Sequence, residues 1–418
     1  MDVQAREGVA RGLSERIFAV AVAAVAVHAL DDATVHRTGG LTGSLPAAAV
    51  AVLLAVGLVA LYLRAGRTVR TILAAAVGLF ATAHGIGVHV AHLAKVEVGG
   101  ADYTGLLALA AGIVLLLLAI ALQLAGRRWP ARVLVIVVSL LAIEVVVIPV
   151  TVGAYATSVP HAPVRSADSI GVAGAQDVTF PARDGTRLGG WYVPGTNGAA
   201  VILMHGSSST RAATLAHLRM LARNGYGILA FDARGHGESA GQANAFGWRG
   251  DDDIAGAVRY LRDRAGVDPG RIAALGLSMG AEEALRAAAD GVGLAAVVAD
   301  GAGASTTGDQ RLATHGLEAA IAIPQTWVTM RVAALLSGES EPEPLGTAVR
   351  RIDVPVLLIA SSAGDEQTLD GIFRDRIGPE ASLWYVADAG HTRALAVHPD
   401  EYERRVVGLL SAAVGGEG

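Results

Sequence analysis

Ser278 stands at the centre of Gly276-Leu277-Ser278-Met279-Gly280. A largely apolar, strand-like run at 271–275 precedes it, and a helix-forming stretch at 281–289 follows it. A strand, a tight glycine-flanked turn and a helix would lift the serine hydroxyl above a sheet edge, the geometry of a nucleophile elbow. A lone hydroxyl is a weak nucleophile at neutral pH and needs a neighbouring base, itself oriented by an acid. His391 is the candidate base: it follows the last predicted strand, in a loop behind Gly390. His398, just before Pro399 at a helix start, reads as a surface residue. The chain has no cysteine, which removes disulfides, thiolate metal sites and cysteine nucleophiles and suits either side of a bacterial membrane.

These residues need a scaffold, and the second half of the chain predicts one. Residues 177–180 and 188–193 form an opening hairpin around Asp184-Gly185. Further strands are expected at 200–204, 227–231, 271–275, 295–299, 356–360 and 383–386, with helices at 211–224, 251–264 and 400–414. Such alternation predicts a mostly parallel sheet covered on both faces, with the site beyond the carboxyl ends of its strands. Residues 303–351 interrupt the alternation. Their middle, 317–336, is apolar, with Trp327 and Met330 at helical spacing.

The first half reads differently. The 418 residues are 52% hydrophobic and carry a net charge of −5, with a mean hydropathy of +0.47. The charge gives no reason to expect nucleic-acid binding. The apolar excess lies before about residue 157. Segments 45–63, 72–94, 106–125 and 133–157 are each long enough to cross a hydrocarbon core of roughly 30 Å. Segment 17–35 is a fifth candidate, either a retained span or a signal-peptide core. The chain is thus expected to comprise a transmembrane helical bundle at 1–158, a linker at 159–176 and a catalytic domain at 177–418. Arginines 6, 11 and 16, then 64, 67 and 70, then 127, 128 and 132 mark three cytoplasmic segments by the positive-inside rule. A cytoplasmic N-terminus and five spans place everything after Thr157 on the extracytoplasmic side.

Ionisable residues inside this half cluster. His28, Asp31, Asp32 and His36 share one face of the first span, and His84, His89 and His92 one broad face of the third. Three readings stay open: packing or interfacial hydration, a metal site drawn from His28, Asp32, His36, His84, His89 and His92, or a proton or substrate path. Glu144 lies near mid-membrane on a span that also carries Pro149.

From about residue 175 to 414 the chain resembles the α/β-hydrolase superfamily, in particular its serine hydrolases of the Bem46-like and S33-type branch. Four segments carry the resemblance: Leu203-Met204-His205-Gly206-Ser207, the run from Asp232 to Ser239, the Ser278 elbow, and Ala389-Gly390-His391. It implies Ser278 as nucleophile, His391 as base and Asp365, just past a predicted strand, as the orienting acid. Asp300 and Glu366 are the alternatives. It further implies Met279 and Ser207 amides as oxyanion donors, a structural His205, and a helical cap over the site at about 303–351. That insertion is either a lid lining an acyl pocket or a helical hairpin packed on the sheet. The expected activity is cleavage of an ester, thioester or small amide through an acyl-enzyme, without an organic cofactor, on a small or lipid-like acyl substrate at a bilayer. An acyltransferase on the same residues, and a membrane sensor or transporter regulated by the hydrolase half, are the other readings.

Overall fold

The computed structural model describes residues 3–34, 45–85, 102–125, 128–157, 161–242 and 246–414. The chain divides into two compact units, Met1–Tyr155 and Ala156–Gly418.

The first unit is helical: Val3–Thr34, Leu45–Arg64, Arg67–His84 and Asp102–Leu124, then Trp129–Ala142, which continues through Ile143–Val147 into Ile148–Ala156. Val9–Asp31, Tyr103–Leu124 and Trp129–Ala156 are long and apolar enough to cross a membrane, and Val52–Arg64 is a shorter apolar helix. The expected third span begins as Arg67–His84, and its remainder falls outside the described residues. In the last span, Ile143–Val147 is π-helical and contains Glu144. Pro149 has no N–H to give and its ring crowds the carbonyl four residues back, so the wider turn absorbs both effects.

Among the contacts between these helices, two show how they pack. Arg67–His84 and Asp102–Leu124 approach through glycine: a Cβ on Gly78 would lie 2.9 Å from the Gly112 oxygen, and one on Gly112 would lie 2.7 Å from the Thr82 nitrogen. Small residues permit such backbone contact between apolar helices. At another point Arg70, expected as a loop charge, is 5% exposed. Its guanidinium donates to Glu15 at 2.7 Å and to the Leu63 and Ala65 carbonyls, and lies over the Tyr62 ring, which stacks on Phe18.

The second unit is an eight-stranded sheet in the order β1-β2-β4-β3-β5-β6-β7-β8. The strands are β1 Gln176–Pro181, β2 Arg187–Val193, β3 Ala200–Met204, β4 Gly227–Phe231, β5 Ile272–Leu277, β6 Val297–Asp300, β7 Val356–Ser361 and β8 Ala381–Val386. Only β1–β2 and β2–β4 pair antiparallel; the remaining pairs are parallel. Every residue of β3 to β7 is buried, which is why these strands read as unbroken apolar runs. Ile202, Leu229, Ala274 and Leu358 look into one core; Val201, Leu203, Leu275 and Ile359 look into the other. β6 ends at Asp300, one residue beyond the expected strand. After it, within the expected insertion at 303–351, come the helices Thr307–Ala313, Gly316–Ser337 and Leu345–Ala348. The helix Glu366–Ile377 between β7 and β8 was not anticipated; its sequence is too polar to show a strong apolar stripe.

Gly112→Val should force the two helices apart and lower stability by about 1–3 kcal/mol. A thermal-melting midpoint in detergent, compared with the parent protein, checks this; an unchanged midpoint would contradict the close glycine contact.

Candidate active site

Ser278 follows β5 and precedes the helix Met279–Ala289 with φ 53° and ψ −121°. A left-handed serine is strained and persists only where its surroundings enforce it. A Cβ on Gly276 would sit 2.0 Å from the Gly280 oxygen, and one on Gly280 would sit 2.7 Å from the Met204 Cβ. Both glycines are therefore demanded by space. The Ser278 amide donates to the Asp300 carbonyl at 2.8 Å, which ties the turn to β6.

Met279 is the first residue of its helix. The N–H groups of a first helical turn lack intrahelical acceptors and face a positive dipole end, so they favour an oxyanion. On the other side of the serine lies Gly206, where an added Cβ would be 3.1 Å from the Ser278 Cβ. Ser207 is the next residue. The loop holding it is fixed by His205, whose Nδ1 donates to the Gly206 carbonyl at 2.7 Å and whose Nε2 accepts from the Ala233 amide at 3.0 Å. Burial lowers the His205 pKa to about 4, so the ring is neutral and structural. Asp232 accepts from the Arg211 and Glu238 amides and pairs with the buried Arg211 guanidinium, as an anchor for its loop.

His391 follows β8. Its ring rests on Gly301, where a Cβ would come 3.1 Å from Nδ1 and Cε1 and where φ is 75°. Gly301 thus supplies both the left-handed turn and the room for the imidazole. Ser278 and His391 are in this way brought to adjacent strand ends, β5 through the Asp300 carbonyl and β6 through the residue after it.

The acid that meets His391 is Glu366: its Oε1 lies 2.5 Å from Nδ1. Asp365, the preferred expectation, is not at the imidazole; its Oδ2 accepts from Gln310 at 3.4 Å. The reason is local. Asp365 is the N-cap of the helix Glu366–Ile377, so consecutive side chains leave the axis about 100° apart and only one can aim at His391. Glu366 turns back, with Oε2 accepting from the Ser361 amide and hydroxyl at 2.7 and 2.8 Å. Burial pushes the Glu366 pKa up, but hydrogen bonds from His391 and Ser361 outweigh it, and the pKa is lowered. The Glu366 hydrogen bond raises the His391 pKa. Asp300, the other alternative, is 2% exposed with Oδ2 unpaired; burial raises its pKa to about 7. His398 pairs with Asp388 at 2.8 Å on the surface.

Glu282 was missed by inspection of the chain. Its Oε1 accepts from the Gly303 amide at 3.0 Å, so the helix behind Ser278 holds the start of the insertion after β6. Burial raises its pKa to about 8. The signal was available, since Glu282 stands four residues after the serine on a short, alanine-rich helix.

In the first unit, part of the anticipated polar cluster assembles. His84 Nε2 lies 3.1 Å from His28 Nε2, His28 Nδ1 lies 3.1 Å from Thr104 Oγ1, and Thr104 donates to Asp31 at 2.5 Å. One set of neutral tautomers satisfies this chain, with His84 donating to His28 and His28 to Thr104. Asp32 lies in the first helix without a described side chain; His36, His89 and His92 lie outside the described residues. Among the described residues no three His, Asp or Glu side chains form a group that would hold a metal ion.

The X-Pro dipeptidyl-peptidase (S15) family model matches residues 184–377. YfhR of Salmonella typhimurium, an uncharacterized protein, is 37% identical over 127 residues, covering 29% of this chain and 43% of that protein. The chain thus spans less than half the length of that relative. YqkD of Bacillus subtilis, also uncharacterized, is 27% identical over 246 residues, 55% of this chain and 77% of the relative. The solved Pyrococcus furiosus esterase Pf2001 superposes with a TM-score of 0.50 at 25% identity, covering 61% of this chain and 98% of the esterase.

Glu366→Gln should cut kcat by about 10³–10⁴-fold, the size of effect seen when an imidazole loses its orienting acid. Because Glu366 raises the His391 pKa, the acidic limb of the pH–rate profile should also move to lower pH in this variant. Asp365→Asn should leave kcat within about threefold. Steady-state ester kinetics across pH reads both, and the reverse ranking would restore Asp365 as the acid. With strand order, elbow and comparisons in agreement, the second unit is a hydrolase domain of the α/β-hydrolase superfamily.

Proposed function

We propose that this protein is a membrane-anchored serine hydrolase that cleaves ester, thioester or small amide bonds through an acyl-enzyme. The observation that carries the reading is the left-handed Ser278 at the end of β5, with a Glu366-bound His391 packed on the glycine after β6. Ser278 Oγ attacks the substrate carbonyl carbon as His391 Nε2 takes its proton. The Met279 and Ser207 amides hold the oxyanion, where fixed donors act most strongly. His391 returns the proton to the leaving group. A water then loses a proton to His391 and attacks the acyl-enzyme, and His391 returns that proton to the departing Ser278 Oγ as the acid is released. Glu366 keeps Nδ1–H in place and balances the imidazolium charge.

The family match to a dipeptidyl-peptidase model and the likeness to an esterase support both carbonyl classes. Anchoring is supported by the three helices of the first unit that reach membrane-crossing length. The arginine distribution supports a cytoplasmic N-terminus and an extracytoplasmic hydrolase domain.

Ser278→Ala should abolish labelling by a fluorophosphonate probe and turnover of a short p-nitrophenyl ester while the melting midpoint stays near that of the parent. Labelling that persists in this variant would refute the assignment of the nucleophile. Applied to intact and permeabilised cells, the same probe tests sidedness: labelling of intact cells by a membrane-impermeant form is expected.

A further inference from the structure

The insertion after β6 contains a helix whose outer face is of the wrong kind for water. Gly316–Ser337 runs for 22 residues with a mean hydropathy of 1.3, and only 17% of it is buried. Its inner side is committed to the domain. Met330 and Ala333 pack with Trp248, Thr326 donates to Gln310, and the Leu336 carbonyl accepts from Gln242 at 3.0 Å. With these anchors along its length, the helix lies on the domain surface and does not cross a bilayer as a separate span.

An ordinary surface helix turns polar side chains outward. This one repeats apolar residues at steps of three and four on the side opposite Met330 and Ala333: Leu317, Ile321, Pro324, Val328 and Leu335, with Arg331. Leu317 is 80% exposed and Leu335 82%. An apolar stripe of this length, interrupted by Arg331, marks a surface that another apolar phase covers. The stripe is the crest of one helix rather than a groove, so it suits a fluid hydrocarbon boundary better than a shaped partner. Trp327, half exposed beside the stripe, lies under the Arg331 guanidinium. An aromatic ring and a cation at the edge of an apolar face are the residues that settle at lipid headgroups. The same chain carries helices of membrane-crossing length, which keep a bilayer within reach of the domain.

We infer that Gly316–Ser337 docks on the lipid bilayer, its Leu317–Leu335 stripe lying in the plane of the headgroup–acyl boundary. The cap of the hydrolase domain is then in contact with lipid. Gln310 connects this helix to the active-site loop, since it accepts from Thr326 and donates to Asp365, next to Glu366. Amphiphilic acyl substrates dissolved in the membrane are therefore the class best placed to enter beneath the cap. That last step rests on the serine-hydrolase reading; the docking of the helix does not.

The chain has no native cysteine, so single-cysteine labelling needs no background removal. Full-length Leu335→Cys, and independently Leu317→Cys, are labelled with a bimane dye and reconstituted into phosphatidylcholine–phosphatidylglycerol vesicles, with Asp263→Cys as an exposed control. At 335 and 317 the dye should be quenched by doxyl-labelled lipid and shielded from aqueous iodide, and at 263 the reverse. Iodide quenching at 335 and 317 equal to that at 263 would overturn the proposal. Shielding from both quenchers would overturn it too, by assigning the face to protein or to a bound acyl chain. The readout needs no turnover and should be the same in a Ser278→Ala background, so its failure is separable from failure of the proposed reaction.

Discussion

The second unit is organised around one strained residue. Ser278 occupies a backbone region that disfavours any side chain, and it stays there because β5 and the following helix leave no alternative path. Gly276 and Gly280 pass so close to other backbone that neither tolerates a methyl group. The Ser278 amide is held by the Asp300 carbonyl, and Gly206 closes the other side. Each neighbour of the serine is thus set by the same turn: the Met279 helix start, the Ser207 loop and the strand end that carries Gly301. A site on rigid strand ends loses little to reorganisation, which is what preorganised electrostatics require.

The acid side of the site shows how burial and hydrogen bonding divide the carboxylates near His391. Asp300 and Glu366 are both almost fully buried. Glu366 has three donors aimed at it and stays charged, whereas Asp300 has an unpaired oxygen and a pKa of about 7. The carboxylate with donors can stabilise an imidazolium. The one whose burial outweighs its hydrogen bonding approaches neutrality, as desolvation dictates. A choice between these residues is a matter of who supplies hydrogen bonds, and Ser361 decides it.

Much of this was legible in the chain. The elbow announced itself because backbone geometry restricts residue type there, and His391 because it follows the last expected strand. The buried strands did so because a doubly covered sheet needs unbroken apolar runs. The choice of acid was not legible, because Asp365 and Glu366 are adjacent and only the start of the helix at Glu366 decides which points inward. That helix is polar and gave no periodic signal. Glu282 went unseen because its partner is a backbone amide in the insertion after β6, a contact no local pattern encodes. In the first unit, face-sharing on a helix correctly grouped His28 with Asp31, while Thr104, the hydroxyl that joins them, lies on another helix. Arg70 read as a loop charge because its partner Glu15 is 55 residues away.

The central claim is that Ser278 Oγ, His391 and Glu366 act as one unit beneath the Met279 and Ser207 amides. An experimental structure of the full-length protein carrying a phosphonate adduct tests this most directly. The account predicts phosphorus bonded to Ser278 Oγ, its free oxygen within hydrogen-bond reach of both amides, and His391 Nε2 beside the adduct while Nδ1 remains on Glu366. An adduct on another residue, or an imidazole at 391 out of reach of Ser278, would contradict it.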